Sequence, residues 1–164
     1  MKLVLLRHGR AQPDAPHGDA KRPLTAGGAD DVRSVALQLA EQGVRIDRAL
    51  VSSSVRTRET CEVFRDAGSE DTTFTDDVVA YSDALYNASV GELLVALENE
   101  TGGTVLLIGH NPSITGLLIH LLPDGASPTL SMKPAEAAIL EVPSLDRGRA
   151  SVVAYVRPDR DKER

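Results

Sequence analysis

Three short, unbroken apolar runs dominate the hydropathy pattern: Leu3-Val4-Leu5-Leu6, Ala49-Leu50-Val51 and Val105-Leu106-Leu107-Ile108. Runs of this length, bounded by turn-forming residues, predict parallel strands buried on both faces. Between them the spacing becomes helical. Val32, Val35, Ala36 and Leu39 share one face of a helix predicted from the N-cap Thr25 to about Gln42, with Gly43 as its stop. Ser53 or Ser54 opens a second helix reaching about Asp66, with Thr57, Thr60, Cys61 and Phe64 facing inward. Ser89-Val90-Gly91-Glu92 reads as a capping box ahead of Leu93, Leu94 and Leu97. Asn111 caps a fourth helix, with Pro112 in its first position and a buried stripe of Ile114, Leu117, Leu118 and Leu121.

The remaining stretches carry weaker patterns. Residues 10–24 form a polar loop rich in Pro, Asp and Gly, and 123–134 form another. Residues 72–79 predict at most a short edge strand. Residues 137–142 and 150–156 flank Asp146-Arg147-Gly148, which predicts a terminal antiparallel pair. The charged tail from Arg157 is expected to fray. Strands alternating with helices argue for an α/β fold with a mixed, mostly parallel sheet. One domain over residues 1–164 is the expectation.

Composition narrows the partners. A formal net charge of -6 speaks against a broad nucleic-acid surface, and it makes any Arg-His cluster a local exception that favours an anionic ligand. The single cysteine, Cys61, allows no internal disulfide, suits a reducing compartment and reads as a core filler. No stretch approaches the roughly 18 apolar residues of a membrane span. The chain opens on a strand rather than a signal peptide, so a cytoplasmic protein without a membrane partner is expected.

The chemistry sits where the apolar runs stop. They lead into Arg7-His8-Gly9, Ser52-Ser53-Ser54-Val55-Arg56 and Gly109-His110-Asn111-Pro112. Open parallel sheets bind ligands outside their strand carboxyl ends, so neighbouring runs would converge two His and two Arg on one crevice. Planar guanidinium forks suit phosphate oxygens, and helix N-termini after Ser53 and Asn111 would add backbone donors. His8 or His110 can attack phosphorus as a neutral imidazole, while the other donates a hydrogen bond to the phosphoryl group. The cationic side chains cover the charge, so neither a metal nor a cofactor is called for. Arg22 either reaches the pocket rim or anchors its loop. His17 reads as a loop residue and His120 as helix packing.

Leu6-Arg7-His8-Gly9 followed by Ala11 resembles the signature of the histidine phosphatase superfamily, which includes the phosphoglycerate mutases. Arg22-Pro23-Leu24-Thr25-Ala26-Gly27-Gly28, Val51-Ser52-Ser53-Ser54-Val55-Arg56-Thr57 and Gly109-His110-Asn111-Pro112 narrow the likeness to its SixA-like branch, the phosphohistidine phosphatases. The motifs run in order from residue 1 to about 122. This resemblance implies a three-layer α/β/α sandwich of the phosphoglycerate mutase type. It also implies His8 as nucleophile, with Arg7, Arg56 and His110 as the phosphate pocket. Relatives with a general acid place it before the third motif, where Asp83 is the candidate here. The implied substrate is a phosphorylated protein, for instance a histidine phosphotransfer domain.

Other readings stay open at this point. The same residues would serve a phosphatase of small phosphorylated metabolites, and the short segments 67–87 and 123–134 argue instead for an open site that admits a protein side chain. A mutase would need a more enclosed and more basic site. A non-catalytic phosphate-binding module would not need the nucleophile. A metalloenzyme using His8 and His110 would suffer repulsion from both arginines.

Overall fold

The computed structural model describes residues 1–100 and 102–159. Ten main elements follow one another: β1 (Lys2–Arg7), α1 (Ala26–Glu41), β2 (Arg48–Ser52), α2 (Val55–Ala67), β3 (Val79–Ser82), α3 (Val90–Glu98), β4 (Thr104–Gly109), α4 (Ser113–Leu121), β5 (Ala137–Glu141) and β6 (Ser151–Val156). The strands form one sheet in the order β3-β2-β4-β1-β5-β6. The pairs β3-β2, β2-β4 and β4-β1 are parallel, and β1-β5 and β5-β6 antiparallel. The three apolar runs are therefore adjacent at the centre of the sheet.

Side chains on a strand alternate between faces, and the two cores follow that alternation. Val4, Leu6, Leu106, Ile108, Ala49 and Val51 pack with Val32, Val35 and Leu39 of α1 and with Cys61 and Phe64 of α2. Leu3, Leu5, Val105, Leu107 and Leu50 pack on the opposite face with Leu93 and Leu97 of α3 and with Ile114, Leu117 and Leu118 of α4. The result is a three-layer α/β/α sandwich. Each fully buried Leu contributes roughly 1.5–3 kcal/mol relative to exposure, so the central ladder is the most strongly held part of the sheet. Among the described residues no helix is long and apolar enough to cross a membrane.

The helix signals operate as their chemistry dictates. Thr25 accepts from the Gly28 amide at the start of α1. Ser89 and Glu92 complete the reciprocal capping box of α3. Gly43, at φ 72°, follows the C-cap Gln42 in the left-handed region that glycine tolerates. Gly28 is required for a different reason: a Cβ there would lie 2.2 Å from the Arg10 carbonyl oxygen, so only glycine lets α1 meet the loop after β1.

Three expectations are corrected. Asn111 does not cap α4. Pro112 occupies the N-cap position, and Asn111 instead donates to the Met132 carbonyl at 2.8 Å and accepts from Thr115 at 2.6 Å, stapling the helix to the 123–134 loop. The edge strand begins at Val79, later than the 72–79 stretch, because Asp76–Val78 form a 3-10 turn. The tail is docked as far as Asp159: Gln38 donates to the Arg157 carbonyl, and the Asp159 amide donates to Ser34, both at 2.8 Å. Residues 160–164, also expected to fray, lie outside the described residues.

Candidate active site

Strand register assembles the site. Arg7 pairs with Gly109 across β1 and β4, so the next residues, His8 and His110, leave neighbouring strand ends side by side. Their ring centroids are 5.3 Å apart. β2 flanks β4 on its other side, and α2 starts three residues after Ser52, which puts Arg56 in the helix's first turn. The N-terminal ends of α2 and α4 lie at this same edge of the sheet. The crevice is a cavity of about 470 Å³, with Arg7, His8, Arg22, Arg56, His110 and Asn111 among its lining residues. All five candidate residues, Arg22 included, meet there.

His8 forms the floor, with 8% of its surface exposed. Its Nδ1 lies 2.7 Å from the Gly9 carbonyl oxygen. A carbonyl only accepts, so Nδ1 carries the proton and Nε2 the free lone pair. Burial, reinforced by His110, Arg56 and Arg7, lowers the His8 pKa to about 3 against an opposing contribution from the Gly9 bond. The ring is neutral at physiological pH, as a nucleophile must be. Thr60 bonds the motif around His8 to α2, accepting from the Gly9 amide at 3.1 Å and donating to the Arg56 carbonyl at 2.7 Å.

His110 sits between Ser52 Oγ, 2.7 Å from its Nε2, and Arg56 Nη2, 3.3 Å from its Nδ1. Arginine only donates, so Nδ1 accepts and Nε2 donates to Ser52. Burial first, then Arg56, lowers the His110 pKa to about 4. Arg7 donates from Nη1 to the Met132 carbonyl at 2.8 Å. Among the described residues, the Nε atoms of Arg7 and Arg56 are buried without a partner. Buried guanidinium N–H groups seldom go unpaired, and both remain available to an anionic ligand.

Sequence reasoning missed the residues that close the mouth. Asp19 accepts from Arg56 Nη2 at 3.0 Å and from the Tyr86 hydroxyl at 2.5 Å, and its backbone carbonyl accepts from Arg56 Nη1 at 2.9 Å. The Tyr86 bond foremost, then Arg56 and Arg22, hold the Asp19 carboxyl well below the usual range despite some desolvation. Arg22 fulfils both readings: it lines the cavity, and it anchors its loop through Gln12 and Asp19. Asp83 is exposed and not among the lining residues, while its segment contributes Tyr86, whose ring lies 5.6 Å from that of His110. Arg56 pairs with Asp19 rather than with Glu59, which accepts from the Leu24 amide instead. Cys61 is buried, and burial raises its pKa to about 11. His17 is exposed in its loop and His120 half-buried on α4.

Comparison with known proteins agrees with this arrangement. Residues 3–78 match the family model for the histidine phosphatase superfamily, branch 1. The chain is 33% identical over 141 residues to the phosphohistidine phosphatase SixA of Escherichia coli strain K12, covering 85% of this chain and 84% of the relative. A structure of the protein histidine phosphatase SixA complexed with tungstate superposes with a TM-score of 0.80 at 29% identity, covering 96% of this chain and 97% of that one. A structure described as a putative SixA from Nakamurella multipartitia gives 0.81 at 25% identity, covering 96% and 95%. Two neighbouring histidines, two arginines with buried Nε atoms and these likenesses converge on one conclusion: the chain belongs to the histidine phosphatase superfamily, on its SixA-like branch.

Proposed function

We propose that this protein is a metal-independent phosphohistidine phosphatase acting on phosphorylated proteins, a histidine phosphotransfer domain being the fitting class of partner. The observation that carries the reading is the His8 tautomer. Its Nδ1 proton is committed to Gly9, which leaves Nε2 as a bare, neutral nucleophile among cationic donors. Nε2 attacks phosphorus, the bond to the departing group breaks, and a phosphohistidine forms on His8. Water then attacks that intermediate and releases phosphate.

Arg7 and Arg56 hold the equatorial oxygens, and their fixed charge stabilises the transferring group without reorganisation. His110 joins them when its proton moves to Nδ1 and Arg56 Nη2 turns from that nitrogen to the phosphoryl group. Ser52 permits this because a hydroxyl both donates and accepts, so its rotation reverses the bond to His110 Nε2. Arg22 completes the rim. A protein substrate fits the half-exposed mouth formed by Asp19 and Arg22, and a cytoplasmic location would supply such substrates.

The test is phosphate release in excess EDTA from a phosphohistidine peptide and from p-nitrophenyl phosphate, comparing wild type with His8→Ala. Preference for the peptide, lost in the variant, is the expected result. Preference for the ester would move the function to small phosphomonoesters. Release from neither would favour a phosphate-binding module.

A further inference from the structure

Among the cavity-lining residues are four arginines, Arg7, Arg10, Arg22 and Arg56, and no carboxylate. Asp19 brings a negative charge to its mouth, bonded to Arg22 and Arg56 at 3.0 Å each and left half-exposed. Its position relative to the nucleophile matters. His8 lies at the floor, and in-line displacement puts the departing atom on the side of phosphorus away from it. At the mouth, Tyr86 lies beside the His110 ring, and Asp19 is linked to His110 through Arg56 Nη2, which bonds both.

From this geometry we infer that Asp19 is a specificity-determining residue, whose carboxylate favours a phosphorylated imidazole protonated on its other nitrogen as substrate over a phosphate ester. The inference rests on the phosphoramidate reading above. The step balances without an added acid. The substrate ring enters with a proton on the nitrogen that does not bear phosphorus. The His8 Nε2 lone pair forms the new N–P bond. The old P–N bond breaks, and its electron pair stays on the departing nitrogen. The substrate ring leaves as neutral imidazole, and the positive charge passes to the phosphorylated ring of His8, whose Nδ1–H remains on Gly9.

A carboxylate beside the departing ring favours its cationic form, as an opposite charge favours any ionised neighbour. An ester oxygen instead gathers negative charge as it leaves, which the same carboxylate opposes. Asp19 also braces Arg56, and that role alone would affect both substrates equally. The low Asp19 pKa, caused chiefly by Tyr86, agrees with a permanent anion rather than a proton donor.

The experiment compares kcat/KM for a phosphohistidine peptide and for p-nitrophenyl phosphate in wild type, Asp19→Asn and Tyr86→Phe. Inhibition by tungstate serves as evidence that each variant keeps its pocket. The ratio of peptide to ester should fall about tenfold in Asp19→Asn, the effect of one lost unit of proton affinity. It should change little in Tyr86→Phe, which keeps the charge. A parallel fall for both substrates, or no change in the ratio, would reduce Asp19 to a brace for Arg56 and overturn the inference. A wild-type enzyme that cleaves the ester and ignores the peptide would overturn the functional reading itself, and that result is visible before any variant is made.

Discussion

The side chain of His8 and the backbone of Gly9 are joined by a 2.7 Å hydrogen bond that puts the proton on Nδ1 and leaves the Nε2 lone pair free. Rapid alkaline quenching during turnover should therefore trap phosphate on His8, with phosphorus on Nε2. His8→Ala should lose the trapped species and at least about 10³-fold in kcat, since removing a nucleophile has cost about 10⁶ elsewhere. The variant should stay folded, because His8 lies beyond the last paired residue of β1. A variant that keeps near wild-type turnover would remove His8 from the reaction.

Arg56 combines a buried, unpaired Nε with bonds to His110 and Asp19. Replacement by Ala should cost about 2.7–4 kcal/mol of transition-state stabilisation, the range for one lost preorganised donor. Arg56→Lys should restore little, because an ammonium cannot span three partners as a planar fork does. Steady-state kinetics with tungstate inhibition measures both effects. Recovery of most activity by Lys would show that charge alone matters.

The pH profile follows from the two histidines. Burial lowers His8 to about 3 and His110 to about 4, so both stay neutral in the free enzyme well below the ordinary value of 6.5. The acid limb of kcat/KM due to these groups should fall near pH 4 or lower. Stability behaves differently. In the unfolded chain both rings take up protons below about pH 6.5, whereas the folded protein resists until about 4 and then 3. The stability present above pH 6.5 is therefore lost as pH falls toward 3. The unfolding free energy from urea titration should drop between pH 7 and pH 5, by an amount on the order of 1 kcal/mol per pH unit. An acid limb near 6.5 would contradict the buried, neutral assignment.

Thr60 connects two motifs that are distant in sequence, bonding the Gly9 amide and the Arg56 carbonyl with one hydroxyl. Thr60→Val keeps the shape and leaves the Gly9 amide without its partner. The cost should be about 1–3 kcal/mol in denaturant unfolding, with a fall in kcat as His8 loses its fixed loop. Unchanged stability would mean that the loop finds another acceptor.

What was legible in the sequence lies on periodic segments. The three apolar runs, the capping box of α3, the Thr25 cap and the terminal strand pair all follow from local patterning. His8 and His110 were readable because each directly follows a strand, and Arg56 because it lies in the first turn of the helix that follows one. Asp19 and Tyr86 were not, since one belongs to an aperiodic loop and the other to a segment whose direction is set by pairing of β3 with β2. Asp83 drew attention through residue type alone, and its side chain faces solvent. Asn111 is an ordinary capping residue diverted by a tertiary partner, Met132, that no local window contains. Ser52 ends a strand, and its bond to His110 depends on β2 lying beside β4.

The distance between His8 and His110 is set by the ladder that pairs Arg7 with Gly109, not by the loops around them. The two rings thus behave like the fixed jaws of a gauge, cut to one size before any ligand arrives. Binding an oxyanion should leave that gap unchanged and confine adjustment to the outer rim, where Asp19, Arg22 and Tyr86 ride on surface turns. Variation among related enzymes would then fall on what can approach the jaws, while the object they grip stays a tetrahedral group of phosphate dimensions.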